Sequence, residues 1–275
     1  METIESSGYS PAWLGLREPA DAQARSTELV AELGRLLAGG TRTEVHDLGC
    51  GTGSMGRWLA PRLAGQQHWV LHDRDLELLR YAEAAMPPAA ADGAPVTATV
   101  RRDDVTALTA DDLADAGLVT ASALLDLLTR DEVDTLAATI LAVGCPALLT
   151  LTVVGEVRMH PADPLDDALS AAFNDHQRRH SAGRPLLGPD AVEAATEAFT
   201  RRGASVLVRP SPWRLGPEQA ELTSRWLDGW IAAAYEQQPE LAGRPGGYRQ
   251  RRLAAATAGE LQVTVEHRDL LVVPR

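Results

Sequence analysis

One stretch constrains the fold of this chain more than any other: Val45-His46-Asp47-Leu48-Gly49-Cys50-Gly51-Thr52-Gly53-Ser54-Met55-Gly56. It opens as a short buried strand ending in an acid, makes a glycine-rich turn and starts a helix near Ser54. Glycines at alternate positions let the backbone turn tightly and let a ligand lie against it without Cβ atoms in the way. Strand, turn and helix in that order open a βαβ unit, so the spacing predicts an α/β fold. Gly51-Thr52-Gly53-Ser54-Met55-Gly56 also fits the dinucleotide fingerprint G-x-G-x-x-G, and neither glycine pattern decides the matter alone.

Asp-Leu-Gly-Cys-Gly-Thr-Gly resembles the first motif of the class I (Rossmann-like) methyltransferases that depend on S-adenosylmethionine (SAM), of the small-molecule type. Three features favour that reading over a dinucleotide. Asp47 stands two residues before Gly49, where such a methyltransferase uses a carboxylate near the ammonium end of SAM. A pyrophosphate would want that neighbourhood free of negative charge. The motif begins some forty residues in, after a helix-like segment. The chain also contains no lysine, which excludes a Tyr-x-x-x-Lys pair, a P-loop lysine and a pyridoxal Schiff base.

The formal net charge of -12 argues against nucleic acid as a partner, because phosphates are neutralised by clustered cations. Two cysteines, Cys50 and Cys145, make no disulfide framework. The first residues lack the basic and apolar regions of a signal peptide, and no apolar run approaches membrane-spanning length. A cytoplasmic enzyme is the expectation, with no membrane partner and oligomeric state left open.

The expected fold is a doubly wound, mostly parallel seven-stranded sheet with an antiparallel last strand, plus helical cap insertions. Residues 1–40 form an N-terminal helical segment, irregular to position 23 with Pro11 and Pro19 as breakers, then helical from Ala24 to Leu37. Residues 41–154 form the SAM-binding core, 155–187 a first cap, 188–209 core, 210–259 a second cap and 260–275 core. Both caps leave from strand carboxyl ends, the ligand edge of an open α/β sheet. A roofed pocket favours a small acceptor over a polymer.

The resemblance implies further site residues. Gly49, Cys50, Gly51 and Gly53 cradle the cofactor. Asp73, ending the second strand about twenty residues past the turn, is the expected ribose ligand, with Arg74 beside it. Asp104, chosen over Asp103, would accept from the adenine amino group, flanked by Val105. Ser122 ends the fourth strand at the cofactor. Tyr9, Trp13 and Arg17 precede the first helix; Arg17 or Arg25 would meet the methionine carboxylate.

Asp126 and His176 are the candidate general bases, Asp126 with the alternative of a helix cap or pair, His176 with that of a hydrogen-bonded core histidine. His176 and Trp213 are the candidate substrate contacts. His176 and His180 have a metal-compatible spacing but no third ligand, so no metal is expected. The acceptor atom, oxygen, nitrogen or carbon, stays open. Two alternatives remain: a nicotinamide-dependent oxidoreductase, and a SAM-binding protein without methyl transfer.

Overall fold

The computed structural model describes residues 10–40, 42–243 and 247–275. Five parallel strands run in the order β3-β2-β1-β4-β5: β1 (Arg42–Leu48), β2 (Gln66–Asp73), β3 (Val96–Arg102), β4 (Leu118–Ser122) and β5 (Ala147–His160). A two-residue hairpin, β6 (His180–Ser181) with β7 (Arg184–Pro185), stands apart. β8 (Ser205–Pro210) and β9 (Trp213–Leu215) follow, and β10 (Gln262–Val273) inserts antiparallel between β5 and β8 while also pairing β9. The main sheet has eight strands. The expected seven omitted β9, three residues whose alternation is too brief to read as a strand.

Central strands alternate between two cores, which is why they read as near-continuous apolar runs. Val119, Leu149 and Leu270 face the helices α5 (Arg130–Val143) and α7 (Ala191–Arg201). Leu118, Leu148 and Leu271, each one residue away, face α2 (Thr27–Leu37), α3 (Ser54–Leu59) and α4 (Leu76–Ala84). A third core joins α1 (Pro11–Ala24) to α6 (Asp166–Gln177), α8 (Ala220–Gln237) and α9 (Tyr248–Thr257) through Ala20, Leu169, Leu222, Trp230 and Ala256. N-terminal segment and both caps therefore form one packed roof.

Two expectations are corrected. Residues 11–24 are helical, not irregular: Pro11 occupies the first turn, where its missing N–H costs nothing, and Ser10 caps the helix by accepting from the Trp13 amide. Pro19 sits inside α1. The break falls at Arg25-Ser26 instead, where Arg25 turns out to ψ 137° and Ser26 caps α2 through the Leu29 amide. Secondly, β5 does not stop at position 154. It continues to His160, paired with β10 throughout, so the first cap is lifted on an extension of the sheet itself. Tyr9 lies outside the described residues.

Candidate cofactor and active site

Gly49, Gly51 and Gly53 have φ of +64°, +55° and +83°. At Gly53 a Cβ would also stand 3.0 Å from the Ala82 Cα, so the turn presses directly on α4. The turn is tied to β2 twice: the Cys50 amide donates to the His72 carbonyl (2.9 Å), and the Gly51 amide donates to Asp73 Oδ2 (2.9 Å). The second oxygen of Asp73 accepts from the Asp75 amide (3.0 Å), and Asp75 caps α4. The Asp73 carboxylate thus faces the bend. The Cys50 thiol is pushed well up by burial, with Asp47 and Asp73 adding to the effect, which disfavours the thiolate.

Asp47 is buried in β1. Its Oδ1 accepts from Thr120 Oγ1 on β4 (2.7 Å), whereas Oδ2 is buried without a partner. Burial raises its pKa to about 7, against the opposing pull of the Thr120 hydroxyl and Arg25. Arg25, 2% exposed, donates through Nη2 to Ser54 Oγ at the start of α3 and to Ser122 Oγ at the end of β4, both at 3.0 Å. Its Nε and Nη1 have no partner, and Trp58 lies 5.4 Å from its Cζ. Arg17 is placed differently. It is committed to Asp21 through two bonds (2.9 and 3.2 Å) and lies over the Trp213 ring. Of the two candidates, the helix break at 25–26 turns Arg25 toward the glycine turn, while Arg17 faces the cap.

The strand tips carry strained backbone. Ala123, just past β4, has φ +52°, and Leu151, inside β5, has φ +56°. Left-handed conformations in non-glycine residues cost about 1–3 kcal/mol and persist where the surroundings impose them. Here Asp269 on β10 imposes one: its carboxylate accepts from the Leu151 amide (2.8 Å) and from the Ser26 amide (2.7 Å). A register shift in the β5–β10 pairing marks the same place.

Buried polar atoms lacking a partner concentrate at this edge: Arg25 Nε and Nη1, Asp47 Oδ2, Thr52 Oγ1, Asp126 Oδ1, Thr152 Oγ1 and His267 Nδ1. Native proteins leave few such groups, and a cluster of them marks a place for a polar ligand. Asp126, just after β4, has its pKa raised to about 6 by burial, with Arg17 pulling the other way. Trp213, buried in β9, donates to Asp21 Oδ1 (2.9 Å) and lies 5.5 Å from the His267 ring.

Past the end of β3, Asp104 Oδ1 accepts from both the amide and hydroxyl of Thr106 and stands 3.5 Å from Arg74. Val105 packs beneath it into the first core. His176 is not brought to this group. Its ring contacts Glu236 of α8 (3.4 Å) and Arg179 (3.3 Å), both in the cap, because the β5 extension carries α6 beyond the strand tips. Among the described residues no cluster of His, Cys, Asp and Glu has the arrangement of a metal site, and no helix is long and apolar enough to cross a membrane.

Asp269, Thr152 and His267 escaped the sequence reading. The signal was present: Glu266-His267-Arg268-Asp269 interrupts an apolar last strand, and Thr150 and Thr152 interrupt the apolar β5. Polar residues inside doubly covered strands need a reason.

The strand order, the antiparallel β10 and the glycine turn facing two acids define a class I methyltransferase fold. Comparison with solved structures agrees: the cyclopropane synthase MmaA2 of Mycobacterium tuberculosis superposes with a TM-score of 0.52 at 13% identity, covering 96% of this chain and 94% of that one. The mycolic acid cyclopropane synthase CmaA1, complexed with SAH and CTAB, gives 0.51 at 13% identity, over 95% and 94%. A SAM-dependent methyltransferase from Geobacter sulfurreducens in complex with S-adenosylhomocysteine gives 0.41 at 16%, over 97% and 99%. No curated protein matches the sequence. Residues 45–146 match the family model for a methyltransferase domain, and the chain as a whole has the class I methyltransferase fold.

Proposed function

We propose that the protein moves a methyl group from SAM to a small-molecule acceptor. The observation that carries this reading is the pairing of two buried, half-satisfied charges at the bend. Arg25 has free guanidinium N–H groups and Asp47 a free carboxylate oxygen, which suits the two ends of an amino acid. Arg25 would hold the methionine carboxylate in a charge-assisted pair, and Asp47 the ammonium. Asp73, already facing the Gly51 amide, retains lone pairs for a ribose hydroxyl. Asp104 would take the adenine amino group, with Val105 flanking it.

The bound cofactor supplies an activated sulfonium methyl. The residues of the chain therefore have to align the acceptor and exclude water. The roof does the second: α1 lays Leu14 against the turn, 3.3 Å from where a Gly51 Cβ would be, and Glu18 clamps Arg57 of α3 at 2.6–2.7 Å. Asp126, half-buried and with one buried oxygen that has no partner, is the group suited to take a proton from an oxygen or nitrogen acceptor. Trp213, with the Arg17–Asp21 pair on it, would wall the acceptor. Enclosure by α1 and both caps supports a small acceptor.

The test is incubation of the protein with methyl-labelled SAM and a fractionated metabolite extract, followed by mass spectrometry. Label entering a small molecule is expected; label entering protein or RNA instead refutes the acceptor class. Calorimetry with SAM and NAD tests the cofactor: NAD binding without SAM binding overturns the reading.

A further inference from the structure

Beneath the nucleoside end of the site, three strands are joined by a continuous line of titratable side chains. Glu44 Oε1 lies 3.3 Å from His46 Nε2; His46 Nδ1 lies 3.0 Å from His72 Nε2; His72 Nδ1 lies 2.9 Å from Asp103 Oδ2. Both imidazoles are buried, at 2% and 0% exposure, whereas the two carboxylates at the ends are partly open to solvent. The residues come from β1, β2 and the end of β3.

Counting hydrogens makes this line informative. Three contacts need three hydrogens. Two ionised carboxylates supply none, and two neutral imidazoles supply one each. Two protons satisfy only two contacts and leave one pair of lone pairs facing each other. The closed line therefore holds a third proton, which makes one ring an imidazolium between two carboxylates. The longest contact, at Glu44, is the one that opens when that proton leaves. His72 then holds the Asp103 carboxylate as a neutral donor, without the attraction between unlike charges that an imidazolium adds to the same hydrogen bond.

What His72 holds is the nucleoside end of the site. The Asp103 amide donates to the Asp73 carbonyl (3.1 Å), and Asp104 is the next residue. The ribose and adenine acids of the proposed site thus hang on the same junction. We infer that Glu44, His46, His72 and Asp103 form a proton-loaded brace: uptake of one proton closes the line, fixes the β2–β3 tips and tightens nucleoside binding. This inference rests on the cofactor reading given above.

The surroundings set the direction. Burial disfavours the extra proton on both rings; at His46 the His72 ring adds to this and Glu44 opposes it, while at His72 Asp103 opposes it. Arg101 on β3 disfavours the proton at both rings, and Asp112 favours it at His72. Arg42 lies 3.9 Å from Glu44. The third proton leaves below the ordinary imidazole range, and nucleoside affinity falls as pH rises through that point. By reciprocity, bound nucleoside raises the proton affinity of the line.

The experiment uses 5′-methylthioadenosine, which lacks the ammonium and carboxylate ends and so removes Asp47 and Arg25 from the comparison. Its affinity is measured by calorimetry from pH 5 to pH 8, alongside an NMR titration of ring-labelled histidines in the free and bound protein. A loss on the order of fivefold is expected across that range, with His46 and His72 titrating together and moving upward on binding. Glu44→Ala removes the contact that demands the third proton, and should flatten the affinity profile while leaving His72 on Asp103. Affinity that is independent of pH, or equally pH-dependent in Glu44→Ala, overturns the brace and leaves the cofactor reading standing. No binding at any pH overturns both.

Discussion

Arg25→Met separates a ligand-binding arginine from a structural one. The guanidinium is 2% exposed and, among the described residues, has no ion pair within 4.0 Å; Asp21 and Asp269 act on it only at longer range. Burying such a charge costs several kcal/mol. Its two bonds to Ser54 and Ser122 return about 1.5–3 kcal/mol each, and the Trp58 face about 1 kcal/mol. These terms roughly cancel, and methionine keeps most of the stem volume. The expected change in stability is within about 1 kcal/mol, or about 2–4 °C in Tm, in either direction. Binding should suffer far more. Losing a buried carboxylate–guanidinium pair costs about 2–5 kcal/mol, so affinity for S-adenosylhomocysteine should drop roughly 30-fold or more. The assay is calorimetric titration beside thermal melting of the same preparation. A structural arginine would give the opposite pattern: a large fall in Tm with affinity intact. That result refutes the reasoning.

Further outcomes are expected elsewhere in the site. Asp47 carries a pKa raised to about 7, above its unfolded value, so it favours the fold at low pH and loses that contribution as pH rises through about 7. Asp47→Asn should therefore be the more stable protein at pH 8, on the order of 1–2 kcal/mol by thermal melting, while binding S-adenosylhomocysteine more weakly. In the parent protein that affinity should rise with pH through the same point, as the carboxylate ionises. Gly53→Ala combines φ +83° with a 3.0 Å approach to Ala82 and should cost about 2–4 kcal/mol. Gly144→Ala, at φ +79° with open space around it, should cost only about 1–2 kcal/mol in denaturant unfolding. Asp126→Asn should lower turnover on an oxygen or nitrogen acceptor about 100-fold, whereas His176→Ala should leave it within about twofold. Equal losses from the two would return His176 to the active site.

The sheet was legible wherever a local rule coincides with the tertiary one. Val45–Leu48, His68–Asp73 and Ala147–Val154 announce themselves through apolar runs that end at an acid or a turn. Asp47, Asp73 and Asp104, the acids that the family resemblance assigns to the cofactor, stand at or beside the carboxyl ends of β1, β2 and β3. What failed to show depends on partners distant in sequence. Pro11 and Pro19 look like breakers until α1 packs on Trp213, nearly 200 residues later. The choice between Arg17 and Arg25 depends on where the chain bends, at Arg25, which ends α1, and Ser26, which caps α2. His176 lies on an inward-looking stripe of α6, but the stripe turns toward α8 and not toward the bend. The Glu44–Asp103 line needs the register of three strands before any of its members has a neighbour.

Asp269 fastens three separate parts of the chain at one point. Its carboxylate accepts from the amide of Ser26 as well as that of Leu151, so the junction between α1 and α2 is tied to the kinked stretch of β5 through β10. A substitution at Asp269 would therefore leave two backbone N–H groups without their acceptor, one on each side of the sheet edge.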